Sequence, residues 1–206
     1  MEIIKLVLGD YAANCYIIFC NETRQGIVID PGAEAESIMR VIENNDLKVK
    51  YIVLTHGHGD HIGAVSDLKE SLDIPVLAHK EEKGLLEDTK KNLSYMMSVG
   101  SKEISPDICL NEGDTIEFGS LKASIIHIPG HSPGGICLKI NEYLITGDSL
   151  FKNSIGRTDL FGGSYEKLIG SIKEKLLNLD DDTIVLPGHG DSSTIGNERL
   201  FNEFLQ

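Results

Sequence analysis

The sequence predicts an α/β fold with two mixed β-sheets and helices packed outside them. Three observations lead there. Short segments rich in β-branched residues recur along the chain, amphipathic helical patterns separate many of them, and Pro/Gly clusters close the strands. Strands come first as hairpins and then alternate with helices, and this order repeats loosely in the second half.

Strand-like runs open the chain at about 2 to 8, 14 to 20 and 26 to 29, and Asp30-Pro31-Gly32 ends the third. Apolar residues then return at three- and four-residue spacing, which predicts a helix over roughly 34 to 45. A strand at 51 to 54, a helix at 61 to 72, a strand at 75 to 78 and a helix at 79 to 90 complete the first half. Residues 87 to 106 are polar and broken by Gly100 and Pro106, so they read either as a loop or short helix over a site or as a solvated excursion. The second half carries strands at 114 to 118, 121 to 128, 135 to 140, 143 to 146 and 183 to 186, with helices at 164 to 178 and 196 to 205. No internal repeat, low-complexity tract or linker divides the chain, so residues 1 to 206 are expected to form a single domain.

Composition narrows the function classes. Hydrophobic residues make up 41% of the 206 and charged residues 25%, the balance of a soluble packed protein. A formal charge of -13 works against binding nucleic acid or anionic lipid, which clustered Lys and Arg normally hold, so a small-molecule substrate is expected. Met1 to Tyr11 lacks a basic region followed by a long apolar run, and nowhere do about 18 apolar residues run together. Neither a signal peptide nor a membrane span is expected. Cys15, Cys20, Cys109 and Cys137 are scattered without C-x-x-C spacing, mostly in strand-like runs where a buried free thiol is the usual state. A reducing, cytoplasmic location follows as an expectation.

The chemistry is concentrated at strand ends. Tyr51-Ile-Val-Leu-Thr55 runs straight into His56-Gly57-His58-Gly59-Asp60-His61, four candidate metal ligands within six residues. Imidazole nitrogen with carboxylate oxygen is the mixed donor set that suits zinc or another first-row divalent ion. Gly57 and Gly59 are expected to let the turn fold tightly enough for the ligands to converge. One local cluster does not close a two-metal shell, so further ligands must come from other strand ends. His131 follows a strand inside Pro129-Gly130-His131, Asp148 follows one in Thr146-Gly147-Asp148, and His189 follows one in Pro187-Gly188-His189.

The H-x-H-x-D-H motif at 56 to 61, with the later single His131, Asp148 and His189, resembles the metallo-β-lactamase superfamily. Val28-Ile29-Asp30-Pro31-Gly32 resembles that family's early strand-end aspartate, and the likeness covers nearly the whole chain. The resemblance implies an αββα sandwich and two divalent metal ions, zinc by default with iron or manganese as alternatives. It assigns His56, His58 and His131 to the first ion and Asp60, His61 and His189 to the second, with Asp148 bridging both. Asp60 and Asp148 would be the catalytic carboxylates. Asp30 would support a ligand or the structure.

Taken alone, a histidine at a strand end is more often a satisfied polar residue than a ligand; seven ligand-type residues in this order reverse that. His79 reads as structural. His127, just before His131, could orient a ligand through a hydrogen bond or simply be a buried structural residue.

Two ions sharing a water can lower its pKa toward about 7 and polarise a carbonyl. A thiolate leaving group then departs unaided, whereas an amine usually needs a proton donor, so thioesters are the favoured substrates. Phe151 to Ser164 resembles the corresponding segment of small bacterial glyoxalase II-like proteins, which are similar to hydroxyacylglutathione hydrolases; Asn92-Leu93-Ser94 is similar to that group too. The chain given ends at Gln206, soon after the last ligand, so the helical domain that helps full-length glyoxalase II hold glutathione is not expected. Arg157 could pair with a substrate carboxylate or pin its own loop through Asp159. Gly156 to Asp159 also resembles a stretch of the iron-dependent persulfide dioxygenases, and a non-catalytic binding or regulatory module on the same fold is a further alternative. The lack of an export signal disfavours a β-lactamase role. Net charge and the lack of an inserted second domain disfavour a nuclease.

Overall fold

Two six-stranded sheets face one another in the computed structural model, which describes residues 1–206. The first half supplies β1 (Glu2–Leu8), β2 (Ala13–Phe19), β3 (Gln25–Ile29), β4 (Lys48–Val53), β5 (Val76–His79) and β6 (Ile108–Leu110), which neighbour one another in sequence order. β1 to β3 form an antiparallel meander, and β4 to β6 then join in parallel. Parallel pairing needs crossovers, here carrying α1 (Ala35–Asn44) between β3 and β4, and α2 (Gly59–Ile62) with α3 (Val65–Leu72) between β4 and β5. A short helix, α4 (Lys83–Leu86), precedes the long loop to β6.

The second half supplies β7 (Thr115–Phe118), β8 (Leu121–His127), β9 (Ile136–Ile140) and β10 (Tyr143–Gly147), then a two-stranded ribbon of β11 (Leu150–Phe151) and β12 (Ser154–Ile155). After α5 (Tyr165–Ser171), β13 (Ile184–Pro187) pairs parallel to β10, and β14 (Ser193–Thr194) closes the sheet before α6 (Ile195–Phe201).

Side-chain alternation makes the layers. In β2, Cys15, Ile17 and Phe19 join the apolar layer beneath α1 and α3, with Ile38, Ile42, Val65 and Leu68. Tyr16, Ile18 and Cys20 point the other way and meet Phe118, Ile125 and Leu138 of the opposing sheet. A third layer lies outside the second sheet, where Cys137 and Leu144 pack on Leu168, Ile172 and Ile195. The order is helices, sheet, sheet, helices: an αββα sandwich. Every residue of β2 is buried, so apart from Asn14 it reads as a continuous apolar run rather than an alternating one. Each fully buried Ile or Phe there contributes about 1.5–3 kcal/mol.

Several expected elements differ. The helix read over 61 to 72 is two pieces, α2 and α3, separated at Gly63 and Ala64. A Cβ at Gly63 would lie 2.1 Å from Gly32 O, so the chain is pressed against its neighbour there. The helix read over 79 to 90 shrinks to a 3-10 turn, Lys80–Glu82, and α4. Residues 87 to 106 hold only a 3-10 turn, Ser94–Met96. Beyond α5 the helix widens into a π turn over Ile172–Leu176. Of the four free cysteines, three are buried and Cys109 is exposed. No helix is long and apolar enough to cross a membrane.

Candidate metal centre

The loops after β4, β8, β10 and β13 meet where the two sheets are tied together. Ile136 N donates to Thr55 O across 2.8 Å, binding β9 to the first ligand loop. From β2, Asn14 N donates to Gly188 O at 2.7 Å, Asn14 Nδ2 to Pro187 O at 2.8 Å and the Tyr16 hydroxyl to Pro187 O at 2.7 Å, so the first sheet fixes the loop that carries His189.

All seven predicted ligands converge. His56, His58 and His131 form one group whose ligand atoms lie within 4.8 Å of each other, and Asp60, His61 and His189 form a second. Asp148 stands between them. Its Oδ2 is 3.8 Å from His131 Nε2 on one side and 3.6 Å from His189 Nε2 on the other, while its Oδ1 is 3.4 Å from His61 Nε2. Asp60 Oδ2 lies 3.2 Å from His189 Nε2.

Four rings are oriented in one way: an oxygen takes the Nδ1–H and Nε2 turns inward. His61 Nδ1 donates to Asp30 Oδ2 at 3.1 Å, His131 Nδ1 to Arg157 O at 2.8 Å and His189 Nδ1 to Tyr11 O at 3.1 Å. His56 Nδ1 lies 3.1 Å from Thr55 Oγ1, whose own proton goes to Asp30 Oδ2 at 2.5 Å. His58 is reversed, with Nδ1 facing His131 Nε2 at 2.9 Å. Asp30 also comes within ligand distance of His56 and His61, but Thr55 N, Thr55 Oγ1 and His61 already use its two oxygens.

These donors fit a pair of divalent cations. His56 Nε2 and Asp148 Oδ1 are buried without a hydrogen-bond partner, a costly arrangement that bound cations would relieve. Burial, then the crowding of His61, His131 and His58, pushes the His56 pKa well below its usual value. Burial and the neighbouring His131 push His58 down to about 3, and burial lowers His131. These rings are neutral, the state that binds a metal. The second group lies instead in a more negative field. Burial opposes protonation of His61, yet Asp148, Asp60 and Asp30 outweigh it and raise its pKa to about 10. His189 is raised too, with burial overcome by its hydrogen bond to Asp60 and by Asp148. The two acidic groups around it thus favour positive charge at this position.

The two glycines of the first ligand loop serve through their missing Cβ atoms rather than through unusual backbone angles. Gly57 and Gly59 do not adopt left-handed backbone. A Cβ at Gly57 would lie 2.8 Å from Leu85 and Leu86, and one at Gly59 would lie 2.7 Å from Met97 Sδ. Close packing requires them. The 87 to 106 loop does cover the ligand loop, with Gly59 N donating to Asn92 O at 2.8 Å. Arg157 spends its guanidinium on Asp159, at 2.7 and 2.8 Å, while its carbonyl orients His131. His127 stacks on His79 with centroids 3.9 Å apart and reaches Pro133 O at 3.1 Å, so it touches the His131 loop rather than a ligand ring. Sequence reasoning missed Thr55, Asn14, Tyr16 and the buried Glu82. Thr55 was signalled by its place beside His56; the others carry no local motif.

The family model described as the metallo-beta-lactamase superfamily matches residues 8–189. The chain belongs to that superfamily. It is 40% identical to the hydroxyacylglutathione hydrolase GloC of Haemophilus influenzae, covering 100% of this chain and 98% of that protein. The solved structure of the BLEG-1 B3 metallo-beta-lactamase superposes with a TM-score of 0.93 at 36% identity, covering all of both chains. TTHA1623, solved in a di-iron-bound form, gives a TM-score of 0.87 at 35% identity, covering 98% of this chain and 100% of that one. Superfamily membership and the clustered His and Asp residues together make the chain a metallo-hydrolase-type protein with groups suited to two metal ions.

Proposed function

We propose that the chain is a two-metal thioesterase that hydrolyses small acyl thioesters, such as a 2-hydroxyacyl thioester of glutathione or of another low-molecular-weight thiol. The observation that carries the two-metal reading is the position of Asp148 within 3.4 to 3.8 Å of ring nitrogens from both groups. His56, His58 and His131 would hold one ion, Asp60, His61 and His189 the other, and Asp148 both. When bound, such a pair lowers the pKa of a shared water toward about 7 and polarises the substrate carbonyl. Zinc is the default ion; iron or manganese suits the same donors, and the di-iron form of TTHA1623 supports keeping iron in view.

The chain's own residues divide the remaining work. Asp30, Thr55, Tyr11 O and Arg157 O fix four imidazoles so that no reorganisation is needed when substrate arrives. The Asp60 and Asp148 side chains keep 14% and 13% of their surface exposed, so both carboxylates face the space where a water would sit. The thiol portion leaves as thiolate, which with a thiol pKa near about 8.5 needs no proton donor. The similarity to GloC supports this substrate class. The three buried free thiols support a reducing, cytoplasmic setting.

The test is steady-state turnover of S-lactoylglutathione and simple acyl thioesters beside a β-lactam and glutathione persulfide, with oxygen uptake recorded. Thiol release from the thioesters with slow β-lactam cleavage is expected. Oxygen consumption on the persulfide with no thiol released from any thioester would instead indicate a dioxygenase.

A further inference from the structure

We propose that Glu82 is a positioning residue that holds together the two loops supplying the His56, His58 and His131 position, setting the affinity of that one metal position. The proposal rests on the two-metal reading above. Glu82 has no solvent exposure and sits at the junction between the 3-10 turn after β5 and α4, outside both loops. Its Oε1 accepts from Gly57 N at 2.8 Å, and Gly57 lies between His56 and His58. Its Oε2 accepts from Gly134 N at 2.5 Å, three residues beyond His131. One rigid carboxylate therefore spans the strand-end loops of the two different sheets.

The surrounding packing is built for this reach. A Cβ at Gly134 would lie 2.4 Å from Glu82 N and 2.8 Å from Glu82 Oε2, and one at Gly57 would strike Leu85 and Leu86 of α4. Both loops thus lie directly on the segment that carries the carboxylate. By contrast, the Asp60, His61 and His189 position is fixed by Asp30 and by the carbonyl of Tyr11, with no contact to Glu82. Two backbone N–H donors need two acceptor oxygens. Glutamine offers one, and its NH2 group would face the remaining N–H donor, so Glu82→Gln releases one loop while keeping size and shape.

The experiment is a competitive chelator titration with Zn2+ on the full-length wild type, E82Q, E82D and E198Q. Glu198 is an equally buried carboxylate, bonded to Asn153 N and Asn202 Nδ2, and controls for general loss of stability. In E82Q and E82D the affinity of one zinc position is expected to fall about 10- to 100-fold, the range seen when residues that orient ligands are lost. The other position should stay within about threefold of wild type, and E198Q should keep both. Equal weakening of both positions in E82Q, or unchanged affinity, would overturn the assignment. Wild-type protein that binds no zinc would overturn the two-metal reading as well. Should neither Glu82 variant fold, hydrogen exchange on the zinc-loaded wild type decides: Gly57 and Gly134 amides as protected as core amides support the clamp, and fast exchange overturns it.

Discussion

His61 gives its Nδ1 proton to Asp30 Oδ2 across 3.1 Å, and that contact turns His61 Nε2 toward His189 Nε2, 3.2 Å away. Asp30 adopts a left-handed backbone conformation at φ 51°, unusual for a residue other than glycine, and its carboxylate also takes Thr55 N at 2.7 Å. Strain at this one residue is thus held by three hydrogen bonds from the first ligand loop. Asp30→Ala should weaken metal binding at the Asp60, His61 and His189 position by about 10- to 100-fold, measured by chelator competition. Wild-type affinity in a folded D30A variant would remove the orienting role.

Asp148 and His127 should differ sharply. Asp148→Ala removes the carboxylate shared between both groups and is expected to abolish turnover and reduce bound metal. His127→Ala loses only a stacking partner and a bond to Pro133 O, for an effect of at most about 10- to 100-fold. Elemental analysis and steady-state rates on both variants check this, and near-full activity with both metals in D148A would contradict the bridging role.

Two glycine substitutions make a matched pair. A Cβ at Gly188 would fall 2.2 Å from Asp148 Oδ1 and 2.8 Å from His61 Cε1, whereas one at Gly84, in α4, meets nothing within 4 Å. Gly188→Ala should therefore displace the carboxylate, lower metal content and cost about 1–3 kcal/mol of stability. Gly84→Ala should be neutral or stabilise by up to about 1 kcal/mol. Chemical denaturation of both variants, with metal analysis, measures the contrast.

The site was more legible than the elements that carry it. Candidate ligands announce themselves through side-chain chemistry and a repeated strand-turn context, so the cluster from His56 to His189 could be assembled residue by residue. Long strands such as β1 and β8 were within a residue of their expected bounds, because seven residues give a clear pattern. β6, β11, β12 and β14 run only two or three residues, too short for any periodicity, and were missed. Glu82 was hidden for another reason. In an expected helix a glutamate reads as solvent-facing, and only the folding of two distant loops onto it reveals two buried amides.

Histidine 79 gives the stability a pH dependence away from the metal groups. Burial first, and then the stacked His127, push the His79 pKa down to about 4, from an ordinary value of 6.5. The unfolded chain takes up a proton near pH 6.5 that the folded chain refuses until about pH 4. Stability from this residue is therefore present above pH 6.5 and is lost as pH falls through that window. His79→Gln should flatten the fall in Tm between pH 6.5 and pH 4, measured on metal-loaded protein. An unchanged slope, or an imidazole titrating near 6.5 by NMR, would contradict this.

The two-ion centre is tested most directly by elemental analysis of the purified protein combined with anomalous diffraction at the metal edge. Two ions per chain are predicted, one among His56, His58 and His131, one among Asp60, His61 and His189, with the Asp148 carboxylate between them. A single iron at the first position, with the second empty in active protein, would contradict the two-metal thioesterase and favour oxygen chemistry on the same fold.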